Sequence, residues 1–452
     1  MSALPHVHLV GIGGAGMSGI ARILLQRGGR VSGTDLSEGR TLEELRMLGA
    51  RVEVGHDAAH IDGADIVVTS TAVPPDNPEV VAAQRAGLLV LRRAEMLARL
   101  MDGQRAVLVT GTHGKTTTTS MTVVALQAAG QDPSFAIGGS LNEVGTNAHA
   151  GSDPLFVAEA DESDRSFLVY RPDLAVITNV EHDHPDEFAD LPAVVQAFRD
   201  FSDRRAVGAP ALLCADDPGA RELAGAIAAP AVLYGTDARA ELRTVPAEDG
   251  AYRFRRGGEE LARFSLAVPG HHNVQNATAA LAACVLLGVD PADAAPGLAR
   301  FTGASRRFQM LGEVAGVTVV DDYAHHPTEL RATLAAARMR TTGRIVLVVQ
   351  PHRYSRTQVF GEELGRAAAA ADVVIVTDVY AAGEAPLPGV GGSLVAGAAQ
   401  AAGATVTFQA HLTDVVEELA GLVRAGDLVL TTGAGDVTQV GPALLSRLGG
   451  HA

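Results

Sequence analysis

Thr110-Gly111-Thr112-His113-Gly114-Lys115-Thr116-Thr117 follows the apolar run Ala106-Val107-Leu108-Val109 and precedes a helical pattern that reaches Gly130. A buried strand that ends in glycines and gives way to Lys-Thr-Thr at a helix start is the geometry that holds a nucleotide phosphate. Glycine lets the backbone amides turn toward oxygen, the helix N-terminus adds partial positive charge, and Lys115 reaches the terminal phosphates. Thr116 is then placed to hold Mg²⁺. The general pattern has four residues between its first glycine and Gly-Lys, whereas Gly111 and Gly114 enclose only Thr112 and His113, so this is a short variant. The bland alternative, a glycine-rich turn with a surface lysine, is weakened by composition. Lys115 is the only lysine in the chain, and every other basic side chain that is not a histidine is arginine.

The strand before this loop belongs to a repeating pattern. His6-Val7-His8-Leu9-Val10 opens into Gly11-Ile12-Gly13-Gly14-Ala15-Gly16, a G-x-G-x-x-G that leads into a helix stopped by Gly28-Gly29. The next strand, Arg30 to Thr34, ends on Asp35, where a dinucleotide-binding unit keeps its ribose acid. A strand from Asp65 to Val68 ends at Thr69-Ser70 and turns at Pro74-Pro75. After the phosphate loop, Leu155-Phe156-Val157-Ala158 delivers Glu159-Ala160-Asp161-Glu162-Ser163-Asp164 to its carboxyl end. The run Leu174 to Val180 reads as a strand that delivers Glu181-His182-Asp183-His184 to the same edge. Each cluster alone has an ordinary reading, a solvated acidic loop or a hydrogen-bonded histidine. Together, at the carboxyl edge beside a phosphate loop, they offer hard ligands for Mg²⁺ over a nucleotide. No cysteine joins the histidines, which disfavours zinc.

Tyr252–Phe254 and Leu261–Leu266, flanking Gly257-Gly258, read as an antiparallel hairpin. Gly270-His271-His272-Asn273-Val274-Gln275-Asn276 opens an alanine-rich helix whose asparagines are either N-caps or readers of an adenine edge. Strands Val317–Val320, Ile345–Val349, Val373–Thr377 and Leu428–Leu430 then form a further alternating unit. It collects Asp321-Asp322-Tyr323-Ala324-His325-His326-Pro327 and Gln350-Pro351-His352-Arg353-Tyr354-Ser355-Arg356 at strand ends. The expected architecture is α/β in three domains: an N-terminal Rossmann-like domain (1–102), a central nucleotide-binding α/β domain with the phosphate loop (103–303), and a C-terminal Rossmann-like α/β domain (304–452).

Composition sets limits. A chain of 452 residues exceeds what one core usually spans. A formal net charge of −16 argues against a nucleic-acid partner. Anionic substrates must therefore meet local basic clusters, Arg92-Arg93, Arg306-Arg307 and Arg353 with Arg356. Two cysteines, Cys214 and Cys284, without a CxxC spacing, suit a reducing compartment. Met1-Ser2-Ala3-Leu4-Pro5 lacks a basic n-region, and no apolar run is long enough to cross a bilayer. The expectation is a cytoplasmic protein with no membrane partner, a monomer or a homodimer.

The ordered set of motifs resembles one family along essentially the whole chain, the ATP-dependent Mur ligases of peptidoglycan precursor synthesis. The motifs are Gly11 to Gly19, Gly111 to Thr117, Glu159 to Asp164, Asp183-His184, His272-Asn273 with Asn276, Arg306-Arg307-Phe308, Asp321 to Pro327 and Pro351 to Thr357. The family's usual phosphate loop is the short form. The resemblance implies an acid–amino-acid ligase that uses ATP and Mg²⁺, with UDP-N-acetylmuramate and L-alanine as its small-molecule substrates. It assigns Gly13, Gly14, Ala15, Gly16, Asp35, Ser70, Arg93 and Asn147 to the UDP substrate, with Gly138 and Gly139 beside its sugar. It assigns Gly111, Thr112, His113, Gly114, Lys115, Thr116, Thr117, Asn276, Arg307 and Asp322 to ATP, and Thr116, Glu159 and His184 to metal. Lys115, Glu159, His184, Arg307, His325, Arg353 and Arg356 carry the catalytic roles it implies. Some sibling ligases hold a second metal with a carbamylated lysine, which a chain whose only lysine serves phosphate cannot do. The readings set against it are a sibling that attaches a preformed tripeptide, a nucleotide-dependent switch, and an NAD oxidoreductase, which leaves Lys115 without a role.

Overall fold

The computed structural model describes residues 5–142, 145–228 and 230–450; Met1–Leu4, read above for the absence of a leader, lie outside them. Two compact units are resolved, one of residues 1–180, 195–265 and 276–301, the other of residues 181–194, 266–275 and 302–452. Among the described residues no helix is long and apolar enough to cross a membrane.

The first unit holds two sheets. One comprises β1 (His6–Val10), β2 (Arg30–Asp35), β3 (Arg51–Val54), β4 (Ile66–Thr69) and β5 (Leu89–Arg92), all parallel in the order β3-β2-β1-β4-β5. Strand order reverses between β1 and β4, which opens a crevice at their carboxyl ends. The Gly11–Gly16 turn sits at that crevice and leads into the helix Ala15–Gln26.

The second sheet comprises β6 (Arg105–Thr110), β7 (Ser134–Ala136), β8 (Ala148–His149), β9 (Leu155–Glu159), β10 (Leu174–Ile177), β11 (Ala211–Cys214), β12 (Ala231–Gly235), β13 (Leu242–Pro246), β14 (Tyr252–Arg256) and β15 (Glu259–Phe264). Its order is β15-β14-β13-β12-β11-β10-β6-β9-β7-β8. β6 therefore lies between β9 and β10, parallel to both, so the acidic run that follows β9 sits beside the phosphate loop. From Ala106 to Thr110 β6 is an apolar and β-branched run, buried throughout, as a strand covered on both faces requires. The hairpin expected at Gly257-Gly258 forms at the sheet's edge. The helix Lys115–Ala128 is buried although it opens Lys-Thr-Thr-Thr-Thr-Ser. Thr119 and Thr122 satisfy their hydroxyls by donating to the carbonyls of Lys115 and Thr118, one turn back.

The second unit carries β16 (Gln309–Val314), β17 (Val317–Asp322), β18 (Ile345–Val349), β19 (Val373–Val376), β20 (Val406–Phe408) and β21 (Leu428–Thr432) in the order β16-β17-β21-β18-β19-β20. Only β16 runs antiparallel to its neighbour. β18 and β21 are buried along their whole length, with layers of aliphatic side chains on both faces of the sheet.

Two sequence readings need correction. The run expected as one strand from Leu174 to Val180 ends at Ile177, because Thr178 and Asn179 turn to grip the phosphate loop. The N-cap reading of Asn276 also fails, since the helix spans His271–Leu287 and Asn276 is its sixth residue.

Candidate active site

The phosphate loop is built by backbone strain and a side-chain clamp. Gly111 has φ +136° and Gly114 φ +79°, the left-handed side of the map where a Cβ is disfavoured. A Cβ at Gly111 would also fall on the Thr178 hydroxyl. The His113 amide donates to the Asn179 side-chain oxygen at 2.7 Å, and the His113 carbonyl accepts from Thr178 Oγ1 at 2.6 Å and from Asn179 Nδ2 at 3.0 Å. Asn276 Oδ1 accepts from Thr118 Oγ1 at 3.0 Å and lies against Gly114. The clamp at Thr178-Asn179 was not anticipated; its only trace in the sequence is a polar Thr-Asn pair that ends an apolar run.

Lys115 Nζ lies 2.9 Å from the Gly111 carbonyl, 3.3 Å from the Thr112 carbonyl and 2.9 and 2.8 Å from the two Glu162 oxygens. Asp161 is 3.9 Å away. Burial disfavours the ammonium, but Glu162 and Asp161 outweigh that cost and hold its pKa above the ordinary lysine value. Beside it, Thr116 Oγ1 donates to the Glu159 carboxylate at 3.0 Å, and the Gly138 amide donates to the same carboxylate at 2.8 Å. A hydroxyl and a carboxylate side by side form a hard-oxygen pair that fits Mg²⁺. Thr117 is buried in the first turn of the same helix.

At the crevice of the first sheet, the Gly11 and Ile12 amides donate to the Thr34 carbonyl at 2.8 and 2.9 Å. Asp35 accepts from the Gly13 and Leu36 amides, both at 2.8 Å, so this carboxylate braces the glycine turn. Gly14 is the N-cap of the helix that Ala15 begins. Gly16 admits Arg93, whose Cδ would lie 2.8 Å from a Cβ placed there. Asn147 Nδ2 donates to the Ala15 carbonyl at 2.6 Å, which joins the loop after β7 to the first glycine turn. Ser70 follows β4 at the same carboxyl edge. Thus Gly13, Ala15, Gly16, Asp35, Arg93 and Asn147 are brought together by the fold.

In the second unit Asp183, not assigned a role from sequence, is the centre of the polar cluster. It is 3% exposed, accepts from Arg356 Nε at 2.8 Å and from its neighbour's amide at 2.6 Å, and lies 3.9 Å from His325 Nε2. Burial works against the carboxylate, but the Arg356 guanidinium and the nearby imidazoles hold its pKa far below the usual range. His184 takes φ +53° and sits 3.3 Å from Arg356 Nη2, which donates to Nδ1. A neutral His184 then carries its proton on Nε2, and binding a cation through that nitrogen requires the proton to move. His182 donates to the Phe188 carbonyl, the ordinary loop-histidine arrangement.

His325 Nδ1 faces the Tyr323 carbonyl at 3.0 Å, so that nitrogen carries the proton and Nε2 keeps its lone pair. Burial, reinforced by Arg356 and opposed by Glu329, lowers its pKa to about 3, so the ring is neutral at ordinary pH. Arg353 takes φ +66° and pairs with Asp186 at 2.6 Å. Arg307 lies over the Tyr323 ring at 5.1 Å and 3.7 Å from Glu329. The Asp322 carboxylate accepts from the Phe308 and Ala324 amides and from Thr333 Oγ1, and burial pushes its pKa up to about 6.

With this geometry in hand, comparison with known proteins is informative. Residues 6–105 match the model of the Mur ligase family catalytic domain, residues 109–284 that of the Mur ligase middle domain, and residues 306–435 that of the Mur ligase glutamate ligase domain. The chain is 52% identical over 457 residues to the UDP-N-acetylmuramate–L-alanine ligase of Acidothermus cellulolyticus, covering 99% of this chain and 96% of that one. It is 49% identical over 456 residues to the enzyme of the same name from Streptomyces avermitilis, covering 99% and 98%. The crystal structure of the UDP-N-acetylmuramate–alanine ligase MurC from Thermotoga maritima superposes with a TM-score of 0.82 at 29% identity, over 99% of this chain and 100% of that one. The chain belongs to the Mur ligase family.

Proposed function

We propose that this protein joins L-alanine to the lactyl carboxylate of UDP-N-acetylmuramate at the expense of ATP, in the cytoplasm, as a step of peptidoglycan precursor synthesis. The names borne by relatives at about 50% identity over nearly the whole chain support the substrate pair. The observation that carries the reaction class is the half-buried Lys115 ammonium in a strained glycine loop, next to the Thr116–Glu159 oxygen pair.

A carboxylate is a poor electrophile, and transfer of the γ-phosphoryl group to it gives an acyl phosphate and ADP. Lys115 offsets the charge that accumulates on the transferring oxygens, and the loop amides orient them. Thr116 and Glu159 would hold Mg²⁺, which would add charge neutralisation at the phosphates. The α-amine of L-alanine then attacks the acyl carbon and phosphate departs. The lone pair of His325 Nε2 suits it to accept a hydrogen bond from that amine, and Arg353 and Arg356 suit the alanine carboxylate and the acyl phosphate. In the first sheet, Arg93 and the Gly11–Gly16 turn are the groups suited to the diphosphate.

The test is ADP release by the purified protein with ATP, Mg²⁺ and UDP-N-acetylmuramate, with and without L-alanine, the sugar product being weighed by mass spectrometry. Release that depends on L-alanine, with a product heavier by one alanyl residue, is expected. Turnover only with a tripeptide would move the activity to the sibling ligase, and silence with both would refute the ligase reading.

A further inference from the structure

Lys115 presents a problem for the chemistry above. An ammonium has three N–H donors, and the loop carbonyls of Gly111 and Thr112 with the Glu162 carboxylate account for all three. The carbonyls belong to the loop itself and are neutral. Glu162 is different: it is 2% exposed, bears the same sign of charge as a phosphate, and both its oxygens lie within 3 Å of Nζ. The neighbouring groups make the conflict sharper, because Asp161 stands 3.9 Å from the ammonium and no second lysine exists in the chain. A phosphate brought to Nζ with the buried Glu162 still in place would set two anions against one half-buried cation, where like charges repel strongly.

We infer that Glu162 is the resident counter-ion of Lys115 in the nucleotide-free protein, and that a nucleoside di- or triphosphate binds by displacing its carboxylate from the ammonium. Glu162 is thus a positioning residue that keeps the one lysine charged and anchored between turnovers, at the cost of competing with the incoming phosphate. Burial alone disfavours its carboxylate form and Lys115 pulls the other way, so the ion pair is what keeps this buried group charged. The inference rests on the nucleotide reading of the Gly111–Thr117 loop.

The experiment compares binding of ADP and of adenosine, by calorimetry, to the full-length protein and its Glu162→Gln variant, with UDP-N-acetylmuramate binding as the check of folding. E162Q is expected to bind ADP at least fivefold more tightly while adenosine, which has no phosphate to compete, binds as before. Equal or weaker ADP binding by a folded E162Q overturns the inference, as does an equal gain for adenosine. A crystal structure of the unmodified protein with ADP decides the matter independently of any variant. The carboxylate is expected more than 4 Å from Nζ with a phosphate oxygen in its place, and persistence of the 2.8–2.9 Å pair refutes the exchange. If the unmodified protein binds no ADP at all, the nucleotide reading itself fails, which is a distinct result.

Discussion

The buried carboxylate of Glu79 gives a prediction whose size follows from its surroundings. Glu79 is fully buried in the first turn of the helix Pro78–Arg85, accepts from Thr34 Oγ1 at 2.7 Å, and lies 3.2 Å from His56 Nδ1, 3.0 Å from His60 Nδ1 and 3.7 Å from His8 Nε2. Burial alone would raise its pKa, but the His8 imidazole beside it and the hydrogen bonds with Thr34 and His60 outweigh burial and bring it from 4.5 to about 2. A drop of that size, at ~1.4 kcal/mol per pH unit, makes the ionised form worth about 3 kcal/mol to the folded state. Because the folded pKa is depressed, this contribution is in place above about pH 4.5 and disappears as pH falls toward about 2. Glu79→Gln removes the titrating group and should abolish that portion of the acid sensitivity. The assay is hydrogen exchange of the β1 amides, Val7 to Val10, between pH 6 and pH 2, with denaturant midpoints over the same range. The unmodified protein should lose about 3 kcal/mol more protection than the variant as pH falls toward about 2. Parallel loss in both proteins would refute the reasoning.

Three further substitutions separate the proposed roles. Lys115→Ala should reduce turnover by at least a thousandfold, on the order of 4 kcal/mol of transition-state stabilisation, while UDP-N-acetylmuramate binding measured by calorimetry stays within threefold; loss of that binding would misplace the nucleotide loop. Gly16→Val puts a side chain where Arg93 now lies, so the KM for UDP-N-acetylmuramate should rise roughly tenfold, about 1.4 kcal/mol, with the KM for ATP unchanged; a rise confined to ATP would contradict the placement. His325→Ala should raise the KM for L-alanine more than that for ATP, and the pH profile of the unmodified enzyme should show no limb from His325 between pH 5 and 8, since burial keeps the ring neutral there. A titration near pH 6.5 that vanishes in the variant would overturn that assignment.

The sequence by itself determined the α/β class and the strand-to-loop punctuation. Gly11–Gly16 follows the short run His6-Val7-His8-Leu9-Val10 and Gly111–Thr117 the apolar run Ala106–Val109, both of strand length and closed by glycines, whose spacing reports local backbone demands. Lys115 stood out for a compositional reason, as the sole lysine of the chain. What the tertiary structure decided are the partnerships, because a hydrogen bond between residues far apart in the chain leaves no local pattern. Asp183 read as one more acid beside a histidine, and only the approach of Arg356, 173 positions away, makes it the centre of its cluster. Thr178 and Asn179 read as the end of a strand until the loop they grip came into place 65 residues upstream. Glu162 lay in plain view within an acidic run, but which of its carboxylates would meet Lys115 depends on β6 lying between β9 and β10, a strand order that periodicity does not encode. The Glu79 cluster was invisible for the same reason: His8, His56, His60 and Thr34 come from separate elements, and only packing of the helix Pro78–Arg85 against the sheet assembles them around one carboxylate.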